Sequence, residues 1–127
     1  MGQKVNPRGF RVGPNLNNEW QSVFYGEKDY SKKLLEDLKI RDIITKKYKI
    51  AQVSRVSVKR ASNKLVVDIH AKKPGVIIGK SGSDIESLKK DITNMVSMDV
   101  FINIHEIKKP ATDFRWVFIA FANCWTL

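Results

Sequence analysis

Between Lys72 and Val96 the apolar positions change rhythm around a short polar break. Pro74 suits the first position of a short helix, because its fixed φ matches helical geometry and its missing N–H has no partner to lose there. Val76, Ile77 and Ile78 are expected to bury that helix. Beyond the break, Ser83 and Glu86 have the Ser-x-x-Glu spacing of a capping box, in which each side chain bonds the other's amide. Ile85, Leu88, Ile92 and Met95 then recur at spacings of three, four and three, one apolar stripe on a helix. The break itself, Gly79-Lys80-Ser81-Gly82, is therefore a turn between two helices.

On either side of this stretch the period falls to two. Val56 and Val58 alternate within 53–59, and Leu65, Val67 and Ile69 alternate with Val66, Asp68 and His70. This predicts two strands joined through Ala61-Ser62-Asn63-Lys64. Val100, Ile102 and Ile104 alternate with Phe101, Asn103 and His105 as a third strand, closing near Ile107. Upstream, a helix is expected from a cap at Asp29. Leu34, Leu35 and Leu38 fall on one side of its wheel, with Ile40, Ile43 and Ile44 nearly opposite, which predicts a break near Lys39. Trp20, Phe24 and Tyr25, just before it, are expected to be packing anchors. The order is helix, strand, strand, helix, turn, helix, strand, an α+β fold whose three-stranded sheet carries its helices on one face. The expected division is a basic N-terminal extension with its helix at 1–38, a main domain at 39–108 and an apolar tail at 109–127.

Charge narrows the partners. Lys and Arg number 23 against 13 Asp and Glu, a formal net charge of +10, which suits a polyanion. Residues 1–20 place Lys4, Arg8 and Arg11 among glycines and prolines with little periodicity, a tail expected to be disordered alone and to order along nucleic-acid phosphates. At the turn, Gly79 and Gly82 permit close backbone approach, Lys80 supplies a mobile cation, and the second helix aims free amides at the tip. One such contact is worth only about 0.3–1 kcal/mol in water, so a bound polyanion needs further help from the surface. Lys72 and Lys73 open the same stretch, and with Gly79, Lys80, Ser81 and Gly82 they are candidate contacts to nucleic-acid phosphates, as are Lys4, Arg8 and Arg11.

Several chemistries find no support. Gly75 to Ser81 reads Gly-Val-Ile-Ile-Gly-Lys-Ser, one residue short of a nucleotide-binding P-loop, and it lies in a helical rather than a strand-to-loop context. His70 and His105 fall opposite the aliphatic face with no further metal ligands, and are expected to be ordinary packed or solvated histidines. Cys124 stands alone, so neither a disulfide framework nor a thiolate cluster is expected, and a reducing compartment is the natural home. No catalytic set, metal site, cofactor or small-molecule substrate is indicated, and the chain is expected not to be an enzyme. The N-terminus has no apolar signal region, and no segment is apolar and long enough for a bilayer, so no membrane partner is expected.

The α-β-β-α-α-β order with a Gly-x-x-Gly turn between paired helices resembles a type II KH domain, a module that clamps about four nucleotides of single-stranded RNA. Four stretches in order sharpen the resemblance: Met-Gly-Gln-Lys-Val-Asn-Pro-Arg-Gly-Phe-Arg at 1–11, Glu-Asp-Leu-Lys-Ile-Arg at 36–41, Pro-Gly-Val-Ile-Ile-Gly-Lys-Ser-Gly at 74–82, and Ile-Asn-Ile-His-Glu-Ile-Lys-Lys-Pro at 102–110. Up to about residue 113 the chain is similar to the N-terminal half of the bacterial small-subunit ribosomal protein number three family. That resemblance implies a structural, non-enzymatic constituent of the small-subunit head, cytoplasmic and ribosome-associated. Its implied partners are ribosomal RNA, messenger RNA and neighbouring ribosomal proteins of the head. It further implies that Lys4, Arg8 and Arg11 follow ribosomal RNA and that Gly79 to Gly82 form the KH loop.

From Phe114 the likeness ends. The family continues with an amphipathic helix and a second α/β domain, whereas 114–127 is rich in Trp and Phe, a change expected of a shifted reading frame or a disrupted gene, with an intact functional truncation as the alternative. Two alternatives stand beside the ribosomal reading: a free-standing KH-type RNA-binding protein, and a P-loop-like nucleotide-binding enzyme built on Gly79-Lys80-Ser81.

Overall fold

Residues with period-two alternation form a sheet whose strands run as the pattern predicts. The computed structural model describes residues 2–13 and 20–109. In chain order the elements are α1 (Pro7–Phe10), β1 (Ser22–Val23), α2 (Tyr30–Lys47), β2 (Val53–Arg60), β3 (Lys64–Ala71), α3 (Pro74–Ile78), α4 (Ser83–Val96) and β4 (Asp99–Glu106). β2 and β3 pair antiparallel, with Val56 opposite Ile69 and Val58 opposite Val67. β4 lies parallel to β3, Leu65 facing Val100 and Val67 facing Ile102. β-branched and aliphatic residues at alternate positions place one apolar face on this sheet, and the helices close over it. Ile40 and Ile44 of α2, Ile77 of α3, and Leu88 and Ile92 of α4 join Val56, Val58, Leu65, Val67, Ile69 and Val100 in one buried cluster.

Several expectations are corrected. The sheet has four strands, ordered β1-β2-β3-β4, because Ser22 and Val23 of the N-terminal extension add a short parallel edge to β2. That edge is held where the Val58 N–H donates to the Gln21 carbonyl at 2.7 Å and the Arg41 guanidinium meets the Ser22 hydroxyl. A two-residue strand leaves no periodicity to read.

The break near Lys39 is absent, since α2 runs unbroken from Tyr30 to Lys47. Its first half keeps Leu35 and Leu38 exposed, at 57% and 45%, and buries Asp37 completely instead. The apolar stripe on that half was therefore a poor guide to the buried side.

The capping box does not form. Gly82 takes the N-cap position of α4, and the Ser83 hydroxyl donates backwards to the Lys80 carbonyl at 3.1 Å rather than accepting from Glu86. In the short helix before the turn only Ile77 is buried; Val76 and Ile78 stay exposed, as do Met95 at the end of the α4 stripe and Trp20 and Tyr25 among the expected anchors. Phe24 does pack, its ring centroid 5.1 Å from that of Tyr30. The apolar tail at 114–127 lies outside the described residues.

Candidate nucleic-acid interface

The turn is built from both ends. At its start, the Lys72 and Lys73 amides donate to the Gln52 and Ala51 carbonyls at 3.3 and 3.2 Å, fixing the origin of α3. α3 is five residues long, with Pro74 in its first turn, and Ile77 anchors it in the core. At the far end, Leu88 and Ile92 seat α4, and the Tyr48 hydroxyl donates to the Asp84 carbonyl at 3.3 Å. Tyr48 is buried, and desolvation pushes its phenol above the usual value. It ties the end of α2 to the first turn of α4, a role with no signature in sequence because the partners lie 36 residues apart.

Within the turn the backbone adopts left-handed torsions at three positions: Gly79 at φ 71°, Ser81 at φ 58° and Gly82 at φ 80°. The two glycines serve different ends. A Cβ on Gly79 would collide with the Asp84 carboxylate, which lies against its α-carbon, whereas a Cβ on Gly82 would meet nothing. Gly79 therefore admits Asp84 and helps close the inner side, and Gly82 leaves the outer side open for a ligand backbone. Lys80 and Ser81 are exposed at the tip.

Electrostatically the turn is mixed. The N-terminus of the 14-residue α4 attracts anions, but its own first turn carries Asp84 and Glu86. Those carboxylates offset part of the dipole, so the cations around the turn must supply much of the attraction. Lys72 and Lys73 are exposed at the other end of α3, about 7.5 Å of helix away at 1.5 Å per residue. The structure thus groups Lys72, Lys73, Gly79, Lys80, Ser81 and Gly82 along one short helix and its turn.

Lys4 and Arg11 are exposed in the N-terminal segment, and the Arg8 backbone lies in α1. α1 is not among the elements that pack substantially on α3 or α4. Among the described residues there is no cluster of three potential metal-ligating side chains, and no helix is long and apolar enough to cross a membrane. His70 and His105 stack on each other with centroids 4.9 Å apart, which the sequence did not reveal.

A glycine-bounded turn between two helices, resting on a sheet with one open face, defines the class of this chain. Residues 39–112 match the family model of the KH domain, and the chain belongs to that family. Its similarity reaches further among particular proteins. The small ribosomal subunit protein uS3 of Rickettsia bellii (strain OSU 85-389) is 54% identical over 111 residues, which cover 86% of this chain and 51% of that protein. The uS3 proteins of Rickettsia typhi (strain ATCC VR-144 / Wilmington) and Rickettsia prowazekii (strain Madrid E) are 54% and 53% identical over the same shares. These matches bear out the resemblance read from the four stretches. The chain spans about half the length of the curated relatives it matches.

Proposed function

We propose that this chain is a ribosomal RNA-binding constituent of the small ribosomal subunit, with a type II KH domain at 39–108 and a basic extension at 1–38. The observation that carries this reading is the Gly79–Gly82 turn, open at Gly82, tipped by Lys80 and Ser81, and set between helices whose buried faces hold it against the sheet. Parallel pairing of β3 with β4, after an antiparallel β2–β3 pair, supports the type II arrangement. Similarity over 86% of the chain to proteins named for the small ribosomal subunit supports the ribosomal setting. The chain acts there by binding rather than catalysis. In this setting it is cytoplasmic, sits in the subunit head beside other ribosomal proteins, and helps position messenger RNA. Lys72, Lys73, Lys80, Ser81 and the turn glycines contact RNA phosphates, and Lys4, Arg8 and Arg11 follow ribosomal RNA from the extension.

Sedimentation of the tagged chain through a density gradient of cell extract tests this. Co-migration with small subunits, abolished by digestion of the RNA, is the expected result. A chain that binds RNA but stays at the top of the gradient would instead be a free-standing RNA-binding module.

A further inference from the structure

The turn lies on the helical side of the sheet, and the opposite face has a chemistry of its own. Alternation puts Lys64, Val66, Asp68 and His70 of β3 on that face, in register with Asp99, Phe101, Asn103 and His105 of β4. Arg55 and Lys59 of β2 stand opposite His70 and Val66 and extend the same rows. Phe101 is 46% exposed, an unusual exposure for a large apolar ring within a strand. Two ammonium groups attend it, Lys64 Nζ at 5.7 Å and Lys89 Nζ at 5.8 Å from the ring centroid. Lys89 belongs to α4 and β4 is the edge strand, so this side chain and the Phe101 ring meet at the β4 edge of the face.

We infer that the open sheet face is a second binding surface for single-stranded RNA, in which Phe101 stacks a base and Lys64 and Lys89 hold the phosphates on either side of it. Single-stranded nucleic acid presents a flat base between two charges, and a ring flanked by mobile cations is its complement. Both ammoniums sit near the outer limit of a cation–π contact, so they can move from ring to phosphate at little cost. Along β4 the stacked rings of His105 and His70 offer a second flat surface four residues from Phe101, about 13 Å at the rise of a strand.

The face is biased towards anions. Arg55, Lys59, Lys64 and Lys89 outnumber Asp68 and Asp99. Asp68 is already engaged by Asn103 at 3.0 Å, Lys59 at 3.7 Å and His105 at 3.8 Å. An acidic protein segment would use the cations but leave the ring without purpose, which favours RNA as the occupant. This surface goes beyond the turn in the proposed function and does not depend on it.

The test is a nuclear magnetic resonance titration of the full chain with a uridine tetranucleotide, about the length a KH module clamps. The Phe101 ring and His105 resonances are expected to shift in the natural chain and equally in Lys80→Asp/Ser81→Asp. Phe101→Leu should weaken binding at this face about tenfold, within the range for loss of one stacked base, while the Gly79–Gly82 amides still respond. Phe101→Trp should preserve it. Shifts at Phe101 without shifts at the turn would uphold this inference and count against the turn. The inference is overturned if the Phe101 ring does not respond, if its response vanishes with the turn variant, if Phe101→Leu binds as tightly, or if oligoglutamate produces the same shifts.

Discussion

Arg60, the last residue of β2, places both Nε and Nη2 on a single oxygen of Asp37, Oδ1, at 2.9 and 2.6 Å. Asp37 is fully buried in the middle of α2, and the Arg60 side chain is only 6% exposed. The same Nη2 reaches Glu36 Oε2 at 3.0 Å and the Lys33 carbonyl at 3.3 Å. One guanidinium thus fastens the first half of α2 to the sheet, where Leu35 and Leu38 do not. Arg41, one turn on from Asp37, joins the same helix to the β1 edge through Ser22; burial lowers its affinity for its proton, an effect that Asp37 opposes.

Removing one partner of this pair strands a buried charge, which typically costs about 3–5 kcal/mol. Arg60→Ala is expected to lose about that much stability in urea unfolding, with Asp37→Ala close behind. The double change Asp37→Leu/Arg60→Met, which replaces the pair by apolar volume, should recover most of the loss. Losses in the double variant equal to the sum of the single ones would show that the two residues do not act together.

This pair also shows where the sequence was legible and where it was not. Strands β3 and β4 follow from alternation because their buried partners are aliphatic and every second residue reports its face, whereas β2 is marked by Val56 and Val58 but also buries Ser54 and Ser57 beside an irregularity near Val53. The α3-turn-α4 unit is equally local, its turn marked by Gly79 and Gly82 and its second helix by Leu88 and Ile92. The continuity of α2 is not local. It depends on Asp37 meeting an arginine 23 residues away, and an aspartate among leucines reads as a solvent face until that partner is known. Ser83 misleads for a related reason: a hydroxyl next to a turn can donate as well as accept, and its spacing to Glu86 does not reveal which. Alternation marks Phe101 only as a residue on the face opposite Val100, Ile102 and Ile104, and its two lysines arrive from β3 and α4.

The two turn glycines should respond differently to a methyl group. Gly82→Ala meets open space and bears only the torsional penalty of a left-handed residue, about 1–2 kcal/mol. Gly79→Ala adds a collision with the Asp84 carboxylate, and with φ 71° and ψ −173° Gly79 also holds a conformation essentially confined to glycine. Thermal unfolding should therefore rank Gly79→Ala as the more destabilised, and Asp84→Gly should reduce the difference. Equal losses at the two sites would contradict the packing of Asp84 against Gly79.

Tyr48 supplies a pH dependence. Its phenol is held above the ordinary value of 10.0, chiefly by desolvation, so folding favours the neutral form. A group raised in this way contributes fully below the unfolded value, and its contribution is lost as pH climbs above about 10 through the folded value. Stability measured by urea unfolding should fall in that alkaline window, and Tyr48→Phe should flatten the fall. At neutral pH the same change should cost about 0.5–1.5 kcal/mol for the hydrogen bond to the Asp84 carbonyl. An unchanged alkaline slope in Tyr48→Phe would assign that dependence to other groups.

The proposed RNA contact at the turn would place phosphate near Asp84 in the first turn of α4, where the carboxylate opposes it. Asp84→Asn keeps the side chain's shape and removes its charge at the start of α4, an effect of about two- to fivefold for a charge near a helix terminus. Fluorescence anisotropy with a labelled uridine oligonucleotide should show tighter binding by that factor. Weaker binding would mean that the carboxylate positions the turn more than it repels phosphate.

The salt dependence of RNA affinity, with and without the charge at the turn, tests whether the Gly79–Gly82 turn binds RNA. For single strands, log affinity should fall against log salt by about 0.7 per phosphate neutralised. Lys80→Asp/Ser81→Asp should weaken binding and reduce that slope by about 0.7 or more, with the melting temperature little changed because both side chains are exposed. An unaltered affinity and slope in this variant, with the fold intact, would contradict the assignment of RNA binding to the Gly79–Gly82 turn.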